Sequence, residues 1–138
     1  MSEKVLLDTG PLVSILNTRD AHHQWACEKM ENLNPPLVTC EAVITEAMFL
    51  LERSRTDPSA PLRLLEKGDL VVDFQISKEA GTLETLMKRY ANVPMSLADA
   101  CLVRLSEIHK DCRVFTLDKD FKIYRRYGRS VIPVISPW

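Results

Sequence analysis

Short apolar runs punctuate the chain: VLLD (5–8), PLVT (36–39), LVVDF (70–74), RVFTLD (113–118) and SVIPVI (130–135). Each has the length and β-branched character of a buried strand. Between them lie segments with helical spacing. PLVSIL follows the turn Asp-Thr-Gly-Pro, with Pro11 in the first helical turn. AHHQWACEKMENL (21–33) carries Trp25, Met30 and Leu33 on one face and stops at Asn34-Pro35-Pro36. Residues 41–54 read as a helix that is apolar almost all round. LRLLEKG ends at Gly68, a C-cap candidate. Two more helices are expected over 77–90 and 96–109, the second announced by Pro94. Strand alternating with helix predicts a parallel sheet covered on both faces.

At 138 residues one domain, 1–138, can bury roughly two-thirds of its unfolded surface. No repeat, low-complexity tract or linker divides it. The polar start MSEKVLLDTG is not that of a signal peptide, and no apolar run reaches a membrane span. The expected location is therefore cytoplasmic, with no membrane partner. The four cysteines (Cys27, Cys40, Cys101, Cys112) include no C-x-x-C pair. They read as small buried hydrophobes of a reducing compartment rather than a zinc site, even with His22 and His23 near Cys27.

The net charge of −1 is unevenly spread. From Lys110 onward there are seven basic residues (Lys110, Arg113, Lys119, Lys122, Arg125, Arg126, Arg129) against Asp111, Asp118 and Asp120. Such a basic end suits contact with a polyanion's phosphates. It equally suits a solvated surface helix.

Two runs, VLLD and RVFTLD, end in an aspartate. Open α/β sheets collect their ligands beyond the carboxyl ends of the strands, which is where Asp8 and Asp118 fall. Each also fits an N-cap of the element that follows. Asp99, in SLADACLV, shares a helix face with Leu102 and Val103, yet Ser96 and Asp99 match a capping box. Glu46, in VITEAMFLL, lies too deep in its helix to cap it. Its helical neighbours Ala42, Val43, Phe49 and Leu50 predict burial, which is costly for a carboxylate without a partner or a metal. If the four acids met, each pair at about 5 Å would repel by roughly 3 kcal/mol at an effective dielectric near 20. Protonation or a cation would have to relieve that, and the oxygen-preferring cations are Mg²⁺ and Mn²⁺.

The order LLDTGPLVSIL, AVITEAMFLL, SLADACLV, FTLDKDF resembles the PIN-domain family, and within it the VapC-like ribonuclease toxins of toxin–antitoxin pairs. The likeness runs nearly end to end, including HHQWA after the first helix and YRRYGR before the last strand. It implies a three-layer α/β/α sandwich with a central parallel sheet, and hydrolysis of RNA phosphodiester bonds with Mg²⁺ or Mn²⁺. By the resemblance Asp8 and Asp99 are direct metal ligands, while Glu46 and Asp118 bind through water or orient the attacking water. Asp120 is a weaker candidate. Thr9, Ser96 and Thr116 are placed to hydrogen-bond the carboxylates. The basic stretch Lys119–Arg129 would position the RNA backbone. A cognate antitoxin and a second copy of the chain are the partners implied.

Other phosphoryl-transfer folds fit less well. A HAD-type phosphatase needs an aspartate two residues after the first, where this chain has Gly10. A response-regulator receiver needs an acidic pair at the first strand's end, and a G-x-x-x-x-G-K loop is absent. A non-catalytic RNA- or protein-binding module on the same scaffold is the alternative, and intact acids at all four positions speak against it.

Overall fold

The computed structural model describes residues 3–138. A five-stranded parallel sheet forms its centre, in the order β3-β2-β1-β4-β7. The strands are β1 (Lys4–Leu7), β2 (Leu37–Thr39), β3 (Leu70–Val72), β4 (Cys112–Phe115) and β7 (Val134–Ile135). Six helices make the crossovers: α1 (Thr9–Leu16), α2 (His23–Glu31), α3 (Glu41–Arg53), α4 (Ala60–Lys67), α5 (Ile76–Arg89) and α6 (Leu97–Ile108). The expected α/β/α sandwich is the observed architecture, and no described helix is long and apolar enough to cross a membrane.

The chain starts in the middle strand and winds outward through β2 to β3. Helices α5 and α6 then carry it back across the sheet to lay β4 on the other side of β1, with Leu7 opposite Phe115. The strand order therefore reverses between β1 and β4. At such a reversal the two neighbouring crossovers leave in opposite directions and open a crevice at the strands' carboxyl ends. Asp8 follows β1 directly, and Thr116 to Asp118 follow β4.

The core is built from the strands and from α6. Leu6, Leu7, Val114 and Phe115 are fully enclosed, as are Ala100, Cys101, Leu102, Val103 and Leu105 of α6. Gly68 ends α4 in the left-handed region at φ 83°, as a C-cap requires.

Two expectations are corrected. The helix expected to be most enclosed, α3, buries only the stripe Val43, Ile44, Ala47 and Leu51, and Phe49 is 56 % exposed. It is α6 that is sheathed on most sides. The run SVIPVI is also not one strand. Ser130–Val131 (β6) pairs antiparallel with Arg125–Arg126 (β5), whereas Val134–Ile135 joins the main sheet beside β4. Pro133 lies between the two pieces and has no N–H to continue a ladder on its own edge. The basic stretch is thus a 3₁₀ turn (Lys119–Lys122) followed by this hairpin, not a surface helix.

Candidate active site

The crevice at the β1/β4 reversal is a cleft of about 270 Å³ lined by Asp8, Thr9, Gly10, Glu46, Leu50, Asp99, Leu117 and Asp118. All four acids picked out in the sequence reach it, from four separate elements. Asp120 does not line it.

Asp8 is the most enclosed, at 5 % exposure. Its Oδ1 accepts from the Thr9 amide at 2.7 Å and its Oδ2 from the Thr116 hydroxyl at 2.6 Å. The same Thr116 oxygen accepts from the Asp118 amide at 2.9 Å, so one hydroxyl ties the ends of the two central strands together. Burial pushes the Asp8 carboxyl up to about 7. The charges of Asp99 and Asp118 add to that, against the lowering effect of the two hydrogen bonds.

Asp99 sits in the first turn of α6. Ser96 accepts from the Asp99 amide, and Asp99 Oδ2 accepts from the Ser96 amide at 3.2 Å. The capping box is therefore real, and Asp99 still lines the cleft. Its Oδ2 also accepts from the hydroxyl of Tyr124 at 3.1 Å. Burial raises Asp99 as well, with the Ser96 and Tyr124 hydrogen bonds opposing. Tyr124 is fully buried, packed edge-on against Tyr90 and Phe121, and its own ionisation is pushed far up by the same burial. It stays a neutral donor to Asp99.

Asp118 caps the 3₁₀ turn through Oδ1, which accepts from the Asp120 amide at 2.9 Å. Glu46 is exposed rather than buried. Its helix is peripheral, and Glu46 stands on the flank of the buried stripe at the rim of the cleft. Partial burial still raises its carboxyl, with Asp99 and Asp118 adding and the nearby Thr9 hydroxyl opposing. That Thr9 oxygen is buried and, among the described residues, outside hydrogen-bond geometry with any partner.

These residues fit a divalent cation of the hard, oxygen-preferring kind. Carboxylates raised above their usual range by burial and mutual repulsion are what a bound cation would relieve, and the unsatisfied Thr9 hydroxyl adds an oxygen donor. Among the described residues, no group of three or more acid, thiol or imidazole side chains stands close enough together to hold a metal ion by itself. Mg²⁺ is commonly held by one or two carboxylates and several waters, which this open set can provide.

Sequence reasoning missed Tyr124, which lies 25 residues beyond the acid it touches. It also could not show the partners that the arginines have within the chain. The Arg126 guanidinium donates to the carbonyls of Ser106 and Lys110, and that of Arg125 to Lys122, Ile123 and Tyr124. Both brace the hairpin. His22 and His23 are half-buried, and His23 Nδ1 lies 2.7 Å from the Ser14 carbonyl oxygen.

Among curated protein sequences none is similar enough to count as a match. Solved structures do match. VapC20 of Mycobacterium tuberculosis, a toxin that cleaves the sarcin–ricin loop, superposes with a TM-score of 0.77 at 19 % identity, over 94 % of this chain and 100 % of that one. A toxin–antitoxin complex from Klebsiella pneumoniae gives 0.66 at 18 % identity, over 98 % of both chains. At such identities the likeness establishes the fold. The family model for the PIN domain matches residues 5–127, a span that contains every acid of the cleft. The chain belongs to the PIN-domain family.

Proposed function

We propose that this PIN domain is a metal-dependent endoribonuclease, using Mg²⁺ or Mn²⁺, and the toxin of a toxin–antitoxin pair. The observation that carries the reading is the gathering of Asp8, Glu46, Asp99 and Asp118, from four elements, around one cleft at the sheet's topological switch point. Likeness to a toxin that cleaves the sarcin–ricin loop and to a toxin–antitoxin complex supports RNA as substrate and an antitoxin as partner. A homodimer and a cytoplasmic location complete the proposal.

In this reading Asp8 and Asp99 would hold the cation, and Thr116 and Tyr124 fix the orientation of the two carboxylates. A divalent cation supplies charge neutralisation at the phosphoryl oxygens and lowers the pKa of water. Glu46, at the open rim with a raised carboxyl, is placed to accept a proton from the attacking water. Asp118 flanks it, held by Thr116 and the Asp120 amide. The exposed Lys119 and Lys122, in the 3₁₀ turn that Asp118 caps, would take the RNA phosphates, contacts that position the strand without reading sequence.

The test is cleavage of a mixed RNA pool with Mg²⁺ or Mn²⁺ against an EDTA control, for wild type, Asp99→Asn and Glu46→Gln. Cleavage that needs the cation and falls at least about 100-fold in both variants is expected. Glu46 is exposed, so Glu46→Gln should hold its stability within about 0.5 kcal/mol. Full activity in Glu46→Gln would remove it from the mechanism. Absence of cation-dependent cleavage by the wild type would sink the ribonuclease reading.

A further inference from the structure

The cationic groups of the basic end are unequal once the fold is known. Arg125 and Arg126 are committed to carbonyl oxygens of the chain itself. Arg113 pairs with Glu3 at 2.8 Å, and Lys110 precedes β4, at the edge of the sheet opposite the acids. Lys119 and Lys122 are exposed and sit at the acidic edge. Residues three apart eclipse one another in a 3₁₀ turn, so these two ammonium groups share one face.

A large aromatic ring stands beside them. Strand β7 ends at Ile135, opposite Phe115 of β4, so Trp138 emerges three residues past the same sheet edge from which Asp118 emerges. Its indole is 42 % exposed. The Lys119 ammonium lies 5.0 Å from the ring centroid, and the His22 ring meets it edge-on at 5.6 Å and 84°. The indole thus has Lys119 over one face and His22 beside it, and the residue remains partly exposed. An ammonium in such a contact keeps N–H donors for an anion, because Lys has three.

We propose that Trp138 and Lys119 form a nucleotide subsite beside the cleft, where an unpaired RNA base stacks on the indole and its phosphate is held by the ammonium. An aromatic face paired with a cation is the arrangement by which proteins hold single-stranded nucleic acid, the ring taking the base and the charge the backbone. The subsite selects unpaired RNA, because a base inside a duplex is already stacked on both faces. It rests on the ribonuclease reading and adds to it which nucleotides, relative to the cut, must be unpaired.

The experiment compares wild type with Trp138→Ala, Trp138→Phe and Lys119→Gln. Binding of a labelled single-stranded RNA of about twelve nucleotides is followed by anisotropy in Ca²⁺, with the RNA checked for intactness. A duplex of the same length serves as control, and KM for cleavage in Mn²⁺ is measured alongside. Trp138→Ala should bind single strands about 5- to 100-fold more weakly, and Trp138→Phe should recover most of that. Lys119→Gln should lower the salt slope by about 0.7, and duplex binding should change less than about 2-fold in the two Trp138 variants. Single-strand affinity and KM unchanged in Trp138→Ala, with wild-type cleavage intact, would overturn the subsite alone. An equal loss for duplex and single strand would make Trp138 a structural residue and overturn it too. A wild type that neither binds nor cleaves RNA would overturn both readings together.

Discussion

Asp8 offers a direct measure of the electrostatic tension in the cleft, because its carboxyl is nearly enclosed and pushed up to about 7 from 3.8. A carboxyl whose folded pKa lies above its unfolded value binds more protons when folded. Stability therefore falls as pH rises between the two values: the penalty is absent below about 4 and complete above about 7. A shift of about three units corresponds to roughly 4 kcal/mol at full ionisation, of which roughly 2–3 kcal/mol develops between pH 5 and 8. Asp8→Asn removes the charge and keeps the shape. Its Oδ1 can still accept from the Thr9 amide, and its Nδ2 can donate to the Thr116 oxygen. In EDTA the variant should match or modestly exceed wild type at pH 5 and exceed it by a further 2–3 kcal/mol or so at pH 8, about 8 °C in Tm for a domain of this size. Saturating Mn²⁺ at pH 8 should raise the wild-type Tm and close the gap, because it binds the folded state with the carboxylate intact. Thermal melts at the two pH values, with and without the cation, make the comparison. A gap between variant and wild type that is constant across pH would refute the argument, since the penalty would then not come from ionising Asp8.

Two further substitutions separate the site from its supports. Tyr124→Phe deletes the hydroxyl that donates to Asp99 Oδ2; titration calorimetry should show Mn²⁺ affinity reduced by about 10- to 100-fold for a stability cost near 1 kcal/mol, and unchanged affinity would mean that the capping box alone orients Asp99. Arg126→Ala removes donors to the Ser106 and Lys110 carbonyls, so urea unfolding should show a loss of about 1–3 kcal/mol while the salt slope of RNA binding stays put. A slope that fell instead would return Arg126 to the phosphate-binding surface.

The order of strands and helices was legible because each strand is a short β-branched run and each crossover carries a 3.6-residue apolar period. The end of β1 could be placed, since VLLD closes on the aspartate that caps α1, whereas RVFTLD runs three residues past the end of β4 at Phe115 before Asp118 starts the next element. What sequence could not supply was the cover over each face. In α3, Glu46 has apolar neighbours along the chain, but which stripe is enclosed depends on where α1, α4 and α6 lie, and the enclosed stripe passes through Val43 and Ala47 instead. The same holds for charge. Arg125 and Arg126 look like phosphate ligands in YRRYGR, and only the hairpin reveals that carbonyl oxygens already occupy them. Tyr124 shows the limit most plainly, because a donor 25 residues away from its acceptor leaves no local pattern.

The sequence left each aspartate open between two roles, helix cap or metal ligand, and the structure makes the two compatible. Asp8 caps α1 and Asp118 caps the 3₁₀ turn, while Asp99 completes the capping box of α6. A cap fixes the carboxylate at a helix's positive end, where the unpaired amides and the dipole favour negative charge. For Asp8 and Asp99 that is partial compensation for standing near other acids with little water. The backbone bonds take only part of each group's capacity, because a carboxylate has about four lone-pair sites. The capping bonds that hold these carboxylates in register thus leave them able to take a cation. It follows that replacing a capping aspartate should cost the fold less than an ordinary cap does when no metal is present, since the lost bond is offset by relieved repulsion. Asp8 should show this most strongly, being the most enclosed of the four.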